Sequence, residues 1–216
     1  MSKTLFVEGE EDKKLFLSIN RAVGTQVELK CDPRGKDNAM NSFFAMLRLQ
    51  TSASKNSIGL IVDADSTENG GGFSSTQARL NQKLQAINWS PLAKTQNSGY
   101  STTCSNSRGA KAGVWIMPNN ANDGCLEGFV IEVISKSQHP LSNYAFKQTL
   151  QAIKGGAGIP PLPTRPHQID KAKVGTWLAW NDPPRMSLGK AHSENLLDLS
   201  SGIGKSLSNW LGWLYA

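Results

Sequence analysis

The sequence predicts an α/β protein: a mostly parallel sheet flanked by helices, followed by a C-terminal helical extension. Three observations carry this. Apolar, strand-forming segments alternate with amphipathic helical ones four times over residues 1–135. Two of the strand segments, "SIGLIVD" and "AGVWIMP", are unbroken apolar runs, as expected of strands covered on both faces. Beyond residue 135 the periodicity is helical throughout.

"KTLFVE" (3–8) opens as a strand and stops at Glu8-Gly9. "EEDKKLFLSINRAV" (10–23) follows as a helix, with acids in its first turn and Leu15, Phe16 and Ile19 on one face, until Gly24 ends it. "QVELKC" (26–31) alternates as a strand, "DPRGKD" is a turn, and residues 38–50 show helical periodicity through Met40, Phe43, Phe44 and Leu47. The strand at 57–63 leads through the loop "ENGGGFSS" into a helix at 75–88. The polar stretch 97–111 is an edge hairpin or a loop. A buried strand at 112–118, closed by Pro118, a turn and a helix at 125–135 complete the unit. In the extension, "LSNYAFKQTLQAI" and "IDKAKVGTWLAWN" read as helices on either side of a Gly- and Pro-rich loop (155–168). Leu207, Trp210, Leu211 and Leu214 then form one face of a last helix. Trp177, Trp180, Trp210 and Trp213 are expected to pack this extension (136–216) on the sheet unit (1–135).

Composition excludes several classes. The chain has 216 residues and no apolar run of about 18 or more, so no membrane span is expected. Its first residues lack the pattern of a secretory signal. Cys31, Cys104 and Cys125 are odd in number and form no zinc pattern, which points to a reducing, cytoplasmic setting. The net charge of +6 is uneven: residues 1–135 hold 14 basic and 13 acidic residues, net +1, and residues 136–216 hold 9 and 4, net +5. A basic last third suits a phosphate-bearing partner, and equally a solvated surface.

The chemistry concentrates in carboxylates at strand ends. The first strand ends at Glu8, with Asp12 in the next helical turn; the third ends in "VDAD", Asp63 and Asp65; the fourth is followed by Asp123 and Glu127. Ligands of parallel α/β sheets bind outside the carboxyl ends of the strands, where these acids would converge. An oxygen-only set suits Mg²⁺ or Mn²⁺. On an extended chain Asp63 and Asp65 would point to the same side and clamp one ion or bridge two. Each acid alone is equally a helix cap, Asp12 above all.

The combination "LFVEGEEDKKLF" followed by "GLIVDAD" resembles the Toprim domain. That Rossmann-like metal-binding module is shared by topoisomerases, bacterial primases and nucleases of the overcoming-lysogenization-defect type. Through "KAGVWIMPNNANDGCLEGFVIEVI" and "DKAKVGTWLAWNDPPRMSLGKA" the chain further resembles a family of short stand-alone Toprim-like proteins. The resemblance implies Mg²⁺- or Mn²⁺-dependent phosphodiester chemistry on DNA or RNA, in defence or mobile-element biology. It implies that Glu8 and Asp12 help hold one metal and Asp63 and Asp65 another, with Asp123 or Glu127 completing the set. Glu8 would be catalytic. Lys171 or Lys173 would serve as the late basic residue at the scissile phosphate, where charge grows in the transition state, and Arg79 as a further phosphate contact.

Departures narrow this. Thr67 stands where topoisomerases carry a third acid, and Tyr100, Tyr144 and Tyr215 lie in no recognisable nucleophile context. No GxxxxGK[ST] is present, so an ATPase partner would be a separate chain. Two other readings stay open: a non-catalytic metal- or nucleic-acid-binding adaptor, and a haloacid-dehalogenase-like phosphatase using "VDADST", although that family carries its motif on the first strand.

Overall fold

The computed structural model describes residues 2–31, 35–51, 53–104, 109–155 and 163–216. Half of the turn expected at "DPRGKD", part of the 97–111 stretch and half of the 155–168 loop lie outside these residues.

The chain runs β1 (Lys3–Val7), α1 (Glu10–Val23), β2 (Glu28–Cys31), α2 (Lys36–Arg48), β3 (Ser57–Asp63), α3 (Phe73–Gln85), β4 (Ala93–Lys94), β5 (Tyr100–Thr102), β6 (Lys111–Met117), α4 (Leu126–Val133), α5 (His139–Lys154), α6 (Pro166–Trp180), α7 (Leu188–Ser193) and α8 (Gly202–Tyr215). The six strands form one sheet in the order β2-β1-β3-β6-β5-β4. β1 pairs in parallel with β2 and β3, and β3 with β6. β4 and β5 add an antiparallel edge. The ambiguous polar stretch is therefore in part an edge hairpin. The result is a Rossmann-like α/β fold.

Alternation along the strands builds two cores. Leu5, Val7, Ile61, Trp115 and Met117 face one way, onto α1, α4, α6 and α8. Phe6, Ile58, Leu60, Val62, Val114 and Ile116 face the other, onto α2 and α3. Both faces of β1, β3 and β6 are thus covered, which is why their sequences read as continuous apolar runs, whereas the edge strand β2 alternates.

The C-terminal helices share the first core. Trp210 packs on Trp115, ring centroids 5.7 Å apart, and its Nε1–H donates to the Tyr100 carbonyl at 3.3 Å. The Tyr215 hydroxyl donates to the Thr4 carbonyl at 2.9 Å. α8 lies so close to β3 that a Cβ on Gly59 would stand 2.5 Å from the Tyr215 hydroxyl. Of the four tryptophans expected to pack the extension, Trp177 and Trp210 are buried and Trp213 is partly so. Trp180 is 44% exposed and rests instead on Tyr144, also exposed, at the protein surface. No described helix is long and apolar enough to cross a membrane.

Candidate metal centre

β1 leads through α1 to β2 on one side of itself, and β2 leads through α2 to β3 on the other. The chain therefore reverses direction across the sheet between β1 and β3. That reversal opens a crevice at the carboxyl ends of the two strands. Glu8 follows β1 and Asp63 ends β3, one on each lip.

Glu8 and Asp63 are tied together. Glu8 Oε1 accepts the Asp63 backbone N–H at 2.7 Å. The Asp63 Oδ1 accepts the Leu126 N–H at 2.9 Å, the first N–H of α4. Asp12 lies in the first turn of α1, where a carboxylate suits the helix dipole, and it is at the same time a member of the cluster.

The charges of these groups act on one another. Burial pushes Glu8 up to about 7, and the carboxylates of Asp12 and Asp65 add to the effect. Burial raises Asp12 to about 6, and the Glu127 charge also opposes its ionisation. Asp63 is held well above the ordinary carboxylate range by burial and by Glu8, Asp12 and Glu127. Anions that raise each other's proton affinity in a crevice call for a proton or a cation.

Lys171 of α6 faces this cluster. Partial burial lowers its proton affinity, but the charges of Glu127, Asp63 and Asp12 outweigh that and raise it overall. Cys125, just before α4, is buried, and its thiol is pushed far up by that burial and by the Glu127 and Asp63 charges. It stays protonated and is no nucleophile.

The structure divides the six expected ligands into two sets. In one set Glu8, Asp12 and Asp63 bear on one another and Glu127 bears on Asp12 and Asp63. Asp65 adds its charge to Glu8 and Asp63, but its side chain and that of Asp123 are held by partners outside this set. The Asp65 backbone is left-handed, φ 64°, and bridges to Gly124 through two backbone hydrogen bonds of 2.8 and 2.9 Å. This breaks the two-residue alternation, so the expectation that Asp63 and Asp65 face the same way fails. Asp63 turns to the α4 N-terminus and Asp65 to Lys36, whose Nζ lies 2.9 Å from its Oδ2. Asp123 Oδ1 accepts the Phe73 N–H at 2.7 Å and caps α3 from fifty residues away.

The expected cations also separate. Lys173 is ion-paired to Asp170 within α6 at 2.9 Å. Arg79 is ion-paired to Asp37 at 2.7 Å. With Lys36 and Arg165 it lines a cavity of about 500 Å³ on the Asp65 side. Lys36, absent from the sequence reading, is the residue that decides the surroundings of Asp65. Its only sequence signal was a place in a Gly-containing turn, and its partners Asp65 and Thr76 lie 29 and 40 residues away.

Glu8, Asp12, Asp63 and Glu127 fit a hard divalent cation in donor type and charge. Glu127 Oε2 is buried with no hydrogen-bond partner, an oxygen left for a ligand. Among the described residues no three Asp, Glu, His or Cys side chains enclose an ion as they stand.

Fold and crevice together define a Rossmann-like α/β protein with an acidic centre at its topological switch point. The chain belongs to the family described as Protein of unknown function (DUF3226), whose model matches residues 2–216. No curated protein and no solved structure matches it.

Proposed function

We propose that the protein is a Toprim-type, divalent-cation-dependent phosphodiesterase acting on DNA or RNA. The observation that supports it most is the gathering of Glu8, Asp12, Asp63 and Glu127 at the crevice between β1 and β3, where burial and neighbouring charges raise the proton affinity of the first three. Glu8, Asp12, Asp63 and Glu127 would hold Mg²⁺ or Mn²⁺. When bound, the cation supplies charge neutralisation at the scissile phosphate.

The remaining work falls to the chain's own side chains. Lys171 binds the phosphate, where a fixed cation opposes charge that grows in the transition state. Glu8, positioned through Oε1 by the Asp63 N–H, takes the proton of the attacking water at Oε2. Arg79, beside Lys36 and Arg165, contacts a neighbouring phosphate of the strand. Lys173, held by Asp170, has no part in this scheme. An ATPase, where the reaction requires one, lies outside these 216 residues, and the setting is cytoplasmic, in defence or mobile-element biology.

The test is calorimetric titration with Mn²⁺, followed by cleavage assays on single- and double-stranded DNA and RNA. Wild type is expected to bind Mn²⁺ and cleave, and Glu8→Gln and Asp63→Asn to lose both. Mn²⁺ binding without cleavage of any of the four substrates would leave a binding protein. No Mn²⁺ binding at all would end the proposal.

A further inference from the structure

A cavity of about 360 Å³ opens beside the acidic centre, between α1, α6 and the segment 185–188. Glu127 and Lys171 stand on its rim, so it continues the crevice. Its inner wall is apolar, formed by Val174 and Leu178 of α6 and by Met186 and Leu188.

One wall position is a glycine in mid-helix. Gly175 lies one turn after Lys171 and one turn before Leu178, on the same face of α6. Glycine destabilises a helix interior relative to alanine, so it is expected where a neighbour comes too close for a side chain. No neighbour does so here: a Cβ on Gly175 would meet nothing within 4 Å. Gly175 is itself exposed, and the space that a side chain would fill lies at the open side of the cavity.

The walls are held in place. The Leu188 N–H donates to Glu11 Oε2 at 3.2 Å, which fastens 185–188 to α1, and Lys14 Nζ holds that carboxylate from the same helix at 2.7 Å. The Arg185 N–H donates to the Leu178 carbonyl at 3.0 Å and fastens the same segment to α6. The cavity is therefore preformed, with Lys171, Lys14 and Arg185 around an apolar floor. Its volume falls at the small end of ligand sites, which span roughly 300–1,000 Å³.

We infer that this cavity seats one unpaired nucleobase of the substrate, against Gly175, Leu178 and Met186, with the attached phosphate at Lys171. The inference rests on the phosphodiesterase reading and narrows it. A base must leave the stack to enter, so single strands and strand ends are substrates and continuous duplex is not.

The test uses deoxyadenosine monophosphate, deoxyribose 5-phosphate and inorganic phosphate as probes, titrated with and without Mn²⁺. Wild type is expected to bind the nucleotide at least tenfold more tightly than the sugar phosphate, and the methyl NMR signals of Val174, Leu178 and Met186 to shift. Gly175→Leu fills the space. It is expected to abolish the preference for the base while Mn²⁺ affinity holds and the thermal midpoint holds or rises. Equal binding of nucleotide and sugar phosphate by wild type, no nucleotide binding, or an undiminished preference in a folded Gly175→Leu protein would overturn the inference. A base preference that survives when Mn²⁺ binding and cleavage are absent would overturn the phosphodiesterase reading alone.

Discussion

Lys36 places its Nζ 2.9 Å from Asp65 Oδ2 and reaches Thr76 Oγ1 at 3.1 Å and the Ala64 carbonyl at 3.4 Å. Its side chain is only 16% exposed. A fixed ammonium thus already occupies the neighbourhood of the second aspartate in the "DAD" pair. Asp63, two residues earlier, is surrounded by the charges of Glu8, Asp12 and Glu127, with Asp65 adding least. The two aspartates should therefore differ in function. Asp63→Asn is expected to weaken Mn²⁺ binding at least tenfold, about 1.4 kcal/mol, and Asp65→Asn by less than threefold. Lys36→Met leaves Asp65 half-buried without its partner and should cost about 1–3 kcal/mol of stability, between the values for exposed and buried pairs. Titration calorimetry and urea unfolding of the three variants check this. Equal loss of Mn²⁺ binding in both aspartate variants would show that Lys36 does not separate them.

The acidic centre should make the metal-free protein less stable as pH rises. Glu8 has a proton affinity of about 7 in the folded state and Asp12 of about 6, both above their ordinary values of 4.5 and 3.8. Between those limits the folded state binds more protons than the unfolded one, so stability falls with rising pH. It is fullest below about pH 4 and is lost through pH 7. For Glu8 alone the effect is at most about 3 kcal/mol. In chelator, the thermal midpoint should drop between pH 5 and 8; Glu8→Gln, which cannot ionise, should flatten the slope. Saturating Mg²⁺ or Mn²⁺ should restore the midpoint at pH 8. A midpoint that rises over this range would contradict the clustering of the carboxylates.

Lys171 and Lys173 stand two residues apart on α6 and serve as each other's control. Lys171 feels the charges of Glu127, Asp63 and Asp12, whereas Lys173 is satisfied by Asp170 on its own helix. Removing one preorganised cation from a phosphoryl-transfer site costs on the order of 10²–10³ in rate. Lys171→Ala should lose cleavage by about that factor, and Lys173→Ala by less than threefold. Cleavage rates at saturating Mn²⁺ decide it, and the reverse ranking would move the phosphate to the other face of α6.

The elements that were legible in the sequence are those whose signals are local. β1, α1 and β3 follow from an apolar run, an acidic first turn and a glycine stop, all within a few residues. What was not legible depends on distance along the chain. α3 begins at Phe73 rather than 75 because its cap is Asp123, far away in sequence. α7 has six residues, too few for periodicity, and starts where Ser187 Oγ accepts the Lys190 N–H. Asp63 and Asp65 were legible as residues but not as geometry, because a single left-handed backbone at Asp65 cancels the alternation. The strand order β2-β1-β3, which sets Glu8 beside Asp63, depends on where two crossovers land.

The last third of the chain should not unfold on its own. Trp210 is fully buried between α8 and the sheet, tilted against Trp115 and bonded to the Tyr100 carbonyl. α8 closes over β3 at Gly59, where any side chain would strike Tyr215 and Leu5. Truncating so large a buried side chain leaves a cavity, so Trp210→Ala should cost about 3–5 kcal/mol. Gly59→Ala should cost about 1–3 kcal/mol by forcing α8 off the central strand. Because the same core holds α1, α4, α6 and α8, both variants should shift one cooperative transition. Urea unfolding followed by far-ultraviolet circular dichroism and by tryptophan fluorescence should give coincident curves for wild type and for both variants. A fluorescence transition at lower urea than the circular-dichroism one would mean that the helical extension separates from the sheet. It would then carry Lys171 and the Gly175 wall away from the carboxylates while these remain folded.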